Sequence, residues 1–254
     1  MNATKKLLIA TAIASAAAGA TLPVQAADAD TTVVLVHGAF ADGSTWNKII
    51  PLLQAKGVKV VAVQNPLTSL ADDVAAVQRV VDAQTGKVVL VGHSWGGAVI
   101  TQAGSSDKIK ALVYVAAFAP SKGEAVGALG AGYPVAPGPT TFRPDAKGFI
   151  YMTQESLAQN FAQDLPAADV RLMAAIQGPL QASGAGEPLS YAAWESKPSY
   201  YIVASRDRMI APEMERDFAR KMKAITTEID SSHVPMLSQP AKVAKVILDA
   251  VARP

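Results

Sequence analysis

No cysteine occurs in the 254 residues of this chain. Its absence removes a thiol nucleophile, thiolate metal sites and disulfide staples, so stability has to rest on an apolar core. Histidine is scarce too. His37, His93 and His233 are the only three, far apart and without the H-x-H or H-x-x-x-H spacing of a zinc site. Charged residues make up only 17% of the chain, with no basic run and no basic patch interleaved with aromatics, which argues against nucleic acid as a partner. Beyond the N-terminus no stretch approaches the roughly 20 apolar residues of a membrane span. Internal repeats and heptads are missing as well.

What is present is apolar: half of the residues are hydrophobic, enough to cover both faces of a buried parallel sheet within one domain. The first residues read as a signal peptide. Lys5 and Lys6 precede an alanine-rich run over 7–18, and Val24 and Ala26 supply the small residues of a cleavage site. Cleavage after Ala26 removes residues 1–26 and leaves a single domain over 27–254, exported to the periplasm or secreted. An uncleaved membrane anchor is the alternative, against which the short alanine-rich run counts. Losing the leader removes two lysines and no acid, so the formal charge goes from +2 to 0 and gives no reason to expect an anionic partner.

Past the leader, β-branched runs alternate with amphipathic stretches, the pattern of βαβ units. Strands are expected over 32–36, 59–63, 88–91, 109–116, 200–204 and 225–229. Ser69 with Asp72 forms a capping-box-like start for a helix whose stripe is Leu70, Val74, Val77 and Val81, with Gly86 as its stop. Pro212 and Pro240 open two later helices at positions where a missing N–H costs nothing. The stretch 120–198 breaks the pattern. It is dense in glycine and proline at first, then shows helical periods over 154–164 and 167–176. Such an insertion is either a long structural connection or a lid, and its length favours a lid.

The chemistry concentrates in Gly92-His93-Ser94-Trp95-Gly96-Gly97, after a strand and before a helix. A serine on that tight turn is pushed above the sheet edge, and glycine is needed two residues either side because the turn leaves no room for side chains. The helix N-terminus behind it favours developing negative charge. Alone, G-x-S-x-G is a weak signal; the flanking elements and the upstream loop His37-Gly38-Ala39-Phe40 strengthen it. Acyl transfer needs two N–H groups for an oxyanion, and Ala39 and Trp95 are the candidates. A serine hydroxyl also needs a base. His37 reads as shaping its loop and His93 as packing, which leaves His233, just after the last strand. Asp207, following the penultimate strand, is the orienting acid, with Asp230 and Glu213 as competitors and an ion pair to Arg206 or Arg208 as the bland role. Phe40, Trp95, Phe118 and Met236 could line an apolar pocket or equally belong to the core.

Val34-Leu35-Val36-His37-Gly38-Ala39, Trp46 with Pro51-Leu52-Leu53, and Val89-Leu90-Val91-Gly92-His93-Ser94 carry a resemblance to the α/β-hydrolase superfamily. So do Ala116-Ala117-Phe118-Ala119-Pro120, Asp207 with Pro212-Glu213, and His233 with Met236-Leu237 and Pro240. The chain is most similar to the branch of plant methyl esterases, plant hydroxynitrile lyases and bacterial esterase-like proteins, over nearly all of 27–254 except the cap. The resemblance implies an α/β fold. It has a doubly wound, six-stranded, mostly parallel sheet in the order 2-1-3-4-5-6, with a helical cap inserted after the fourth strand. It also implies a Ser94–His233–Asp207 serine esterase acting on a small or medium ester, with no metal or organic cofactor. Hydroxynitrile lyases of this branch carry lysine directly after the histidine; here that residue is Val234, which argues against cyanohydrin cleavage. A cofactor-free lyase or perhydrolase on the same triad, and a ligand-binding protein with slow turnover, are the other readings.

Overall fold

The computed structural model describes residues 30–253; the signal-peptide segment 1–26 and its cleavage point lie outside the described residues. The chain runs through β1 (Thr32–Val36), α1 (Ile50–Gln54), β2 (Lys59–Val63), α2 (Leu70–Asp82), β3 (Val88–Ser94), α3 (Trp95–Ala103) and β4 (Ile109–Ala117). It then makes a long excursion through β5 (Arg143–Pro144), β6 (Phe149–Tyr151), α4 (Gln154–Ser156), α5 (Ala167–Ile176) and β7 (Leu180–Gln181). It returns with β8 (Ser199–Ala204), α6 (Pro212–Lys221), β9 (Ile225–Ile229), α7 (Pro235–Ser238) and α8 (Pro240–Ala252).

Six strands form one sheet in the order β2-β1-β3-β4-β8-β9, every pair parallel. Their sequences follow from their places. The inner strands β1, β3, β4 and β8 are buried almost throughout and read as unbroken apolar runs, while the edge strands β2 and β9 are partly exposed and carry Lys59, Thr226 and Glu228. Helix α2 starts as its sequence foretells, with the Ser69 side chain accepting from the Asp72 N–H. It ends earlier, at Asp82, well short of Gly86. There the Lys108 ammonium binds the Asp82 and Gln84 carbonyls at 2.7 Å each and satisfies the frayed end.

The parallel ladder slips where β3 meets β4 at His93/Ser94, so that Ser94 pairs with Ala117. Tyr201 on β8 repairs this slip. Its hydroxyl accepts from the Ala117 N–H at 3.2 Å and donates to the Ala117 carbonyl, so both backbone groups of the residue that follows the irregularity are satisfied out of water. Its ring stacks on Tyr114 at 5.9 Å, bracing β4 against β8.

The insertion after β4 is not purely helical. Besides α4, a π-turn over Leu157–Phe161 and α5, it holds a three-stranded antiparallel sheet, β5-β6-β7. These strands are two or three residues long and carry no readable alternation, which is why the sequence shows only helices there.

Candidate active site

Everything singled out for chemistry sits at the carboxyl ends of parallel strands: Ala39 after β1, Ser94 at the end of β3, Asp207 after β8 and His233 after β9. Ser94 has φ 52° and ψ −120°, a conformation that L residues rarely adopt and that only surrounding structure can hold. The two glycines around it are sterically required. A Cβ on Gly92 would stand 2.5 Å from the Gly96 carbonyl oxygen, and one on Gly96 would stand 2.5 Å from that of Val36. The upstream loop runs directly beside the serine, since a Cβ on Gly38 would meet Ser94 Cβ at 2.8 Å.

Trp95 is the first residue of α3, so its N–H has no acceptor within the helix. The Phe40 N–H is taken by the Gly178 carbonyl at 3.0 Å, which binds the loop to the cap. Ala39 and Trp95 line the same cavity as Ser94. His37 is locked in one neutral tautomer: Nδ1–H donates to the Gly38 carbonyl at 2.8 Å, and Nε2 accepts from the Asn65 N–H at 2.9 Å. Burial holds its pKa below the usual histidine value. It shapes the loop and has no proton to exchange with a ligand.

Asp207 and His233 are both buried, and Asp207 Oδ2 lies 2.5 Å from His233 Nδ1. The other carboxylate oxygen accepts from the N–H groups of Met209 (2.6 Å) and Ile210 (3.0 Å). Since Nδ1–H donates to the carboxylate, Nε2 carries the lone pair, and it makes no hydrogen bond to any described residue. The arginines beside Asp207 turn elsewhere. Arg206 pairs with Asp230 and Arg208 Nε donates to Asn160, so neither engages Asp207. Of the competing acids, Asp230 is exposed in its pair with Arg206, and Glu213 is exposed on α6.

The cavity above Ser94 measures about 550 Å³. Phe40, Phe118, Phe142, Phe161 and Met214 contribute to its wall, and none of its described lining residues carries a charge. Met236 does not belong to it. On the short helix α7, which Pro235 opens directly after His233, it is fully buried in the core.

Four other contributors escape sequence reading. Phe161, on the π-turn, lies edge-on over the His233 ring at 4.9 Å. Asp164 of the cap accepts from the Ser232 N–H at 2.8 Å, one residue before the histidine. His93 does more than pack, for its Nε2 donates to the His233 carbonyl at 2.9 Å. Asp73, fully buried on α2, accepts from the Trp95 indole N–H at 2.7 Å and from the Leu67 N–H at 2.8 Å. Burial raises its carboxyl pKa to about 6. A signal for Asp73 exists, since it shares the α2 stripe with Leu70 and Val77 at helical spacing.

The sequence profile of the alpha/beta hydrolase family matches residues 33–246. A probable hydrolase of the fungus Phoma sp. is 28% identical, over 85% of this chain and 96% of its own. Methylesterase 2 of Arabidopsis thaliana is 26% identical, over 85% and 94%. Among solved structures, a pyrethroid hydrolase from Sphingobium faniae superposes with a TM-score of 0.75 at 22% identity, over 88% of this chain and 98% of that one.

Proposed function

The chain belongs to the alpha/beta hydrolase family, and on that premise we propose that it is a serine esterase cleaving uncharged, apolar carboxylic esters of small or medium size through an acyl-enzyme. Ser94 Oγ attacks the ester carbonyl while His233 Nε2 takes its proton. The imidazolium is held by Asp207, and the oxyanion by the Ala39 and Trp95 N–H groups. Collapse expels the alcohol, which receives its proton from His233. Water then repeats the path on the acyl-enzyme, releasing the acid and restoring Ser94.

The observation that carries this reading is the buried Asp207–His233 pair, 2.5 Å apart, together with a serine held at φ 52° that lines an apolar cavity. An aspartate at Nδ1 leaves the lone pair on the nitrogen that a general base uses. Relatives named as a methylesterase and a pyrethroid hydrolase support ester chemistry. Val234, fully buried, counts against cyanohydrin cleavage, because it offers no cation for a departing cyanide. The leader read over 1–26 supports export, so cell fractionation should find the protein in the periplasm or the medium.

The test is turnover of p-nitrophenyl butyrate by the protein beside Ser94→Ala, with covalent labelling by a fluorophosphonate. A loss of roughly three orders of magnitude or more, with labelling abolished, is the expected result. Equal rates in both proteins would overturn the reading.

A further inference from the structure

Glu215, on the first turn of α6, is a fully buried carboxyl for which the esterase steps have no use. Its Oε2 accepts from the Ala204 N–H at 3.0 Å, at the end of the strand that leads into Asp207. Its Oε1 has no donor among the described residues. What it meets is the carboxyl of Asp207, within hydrogen-bonding contact.

Two carboxylates in contact away from water do not both ionise, so one proton has to lie between them. The donor count says where. Asp207 receives three hydrogen bonds suited to an anion, from Met209, Ile210 and His233; Glu215 receives one. The other groups around the pair offer Glu215 little counter-charge, Arg216 being the weakest of the influences on it. On β8 the Tyr201 hydroxyl is spent on Ala117, and the His233 Nδ1–H is spent on Asp207 Oδ2. On α6 itself the Arg216 guanidinium turns outward to Glu228 at 2.7 Å. Burial first, and the Asp207 charge second, push the Glu215 pKa well above the usual carboxylate range. The N-terminus of α6 favours an anion here, but its effect is small beside desolvation.

We propose that Glu215 is a neutral carboxylic acid at physiological pH that donates its proton in a hydrogen bond to the Asp207 carboxylate, as a positioning residue behind the base. It extends the relay to Glu215–Asp207–His233–Ser94. The pair carries a single negative charge, matched by the single positive charge that His233 gains during turnover. The consequence for catalysis rests on the esterase reading; the protonation does not.

Two measurements on the full chain decide it. The first is the infrared difference spectrum between the parent protein and Glu215→Gln near neutral pH. A protonated-carboxyl C=O band present in the parent and lost in the variant is expected; no such band overturns the proposal, whatever happens to activity. The second is kcat/KM against pH for the parent, Glu215→Gln and Glu215→Leu. The glutamine amide can still accept from Ala204 and donate to Asp207, so it should stay within about threefold of the parent with the same acid limb. Leucine removes the donor and leaves more negative charge on the Asp207 carboxylate that faces the imidazole. It should lose about 10–100-fold, mainly in kcat, with the acid limb moved to higher pH. Equal losses in both variants would overturn the positioning role. If Glu215→Leu does not fold, the glutamine variant and the infrared comparison still decide. Unchanged turnover in Ser94→Ala would reject the esterase reading while leaving the infrared result standing.

Discussion

The Nε2–H of His93 donates to the backbone carbonyl of His233 at 2.9 Å, joining the residue before the nucleophile to the loop that carries the base. The two rings lie 4.8 Å apart, and both residues are fully buried. A carbonyl can only accept, so His93 has to be the neutral tautomer protonated at Nε2, and burial holds its pKa well below the ordinary histidine value. The placing of His233 thus depends on a residue inside the elbow itself.

Replacing His93 by phenylalanine keeps most of the volume and removes the donor, leaving the His233 carbonyl buried without a partner. The expected cost is about 1–3 kcal/mol of stability by urea unfolding, with kcat falling more than KM rises. Parent-like values for both would show that the bond does not position the base.

The strain at Ser94 gives a prediction that separates chemistry from folding. Both Ser94→Ala and Ser94→Gly should abolish turnover. Glycine alone relaxes at the φ of 52°, so Ser94→Gly should be more stable than Ser94→Ala by about 1 kcal/mol. Equal unfolding midpoints would mean that the elbow carries no strain.

An apolar cavity of about 550 Å³ should reward acyl length. Each buried methylene is worth about 0.8 kcal/mol, so kcat/KM should rise roughly tenfold from p-nitrophenyl acetate to butyrate. A monoacid ester should also be preferred over one with a free carboxylate on the acyl chain. A flat chain-length profile would place the acyl group outside this cavity.

Asp73 should leave its mark on stability against pH. Its carboxyl is raised from 3.8 to about 6, so between those values the folded protein binds more protons than the unfolded chain. Its contribution is therefore full below pH 3.8 and is lost as the pH rises through about 6. Relative to Asp73→Asn, which lacks the titration, the parent should gain up to about 3 kcal/mol between about pH 7 and about pH 4. A constant difference across that range would show that the carboxyl is not held near 6.

Strands β1, β2 and β9 begin and end where their β-branched runs do, and the elbow with its glycines is legible in one short string. Such features depend on neighbours in the chain, so a local reading reaches them. Met236 lies in the core and not in the cavity wall, because it sits on a short helix after His233 whose packing no periodicity in so few residues shows. Glu215 left a faint trace in the sequence. It is four residues before Ala219 and seven before Met222, a charge on the buried stripe of α6.

By itself, then, the sequence determined the strand runs of a parallel sheet and the candidate serine, aspartate and histidine, while the order of the strands came from the family resemblance. β-branched runs and turn chemistry are local, which is why they are legible. Only the tertiary structure decided what surrounds them: the cap's small sheet, Phe161 over His233, the His93 bond, and the carboxyl of Glu215 against Asp207. The physical reason is that desolvation and hydrogen bonding act between groups brought together from distant parts of the chain. A buried carboxyl acquires its proton from that company, and no spacing in the sequence records it.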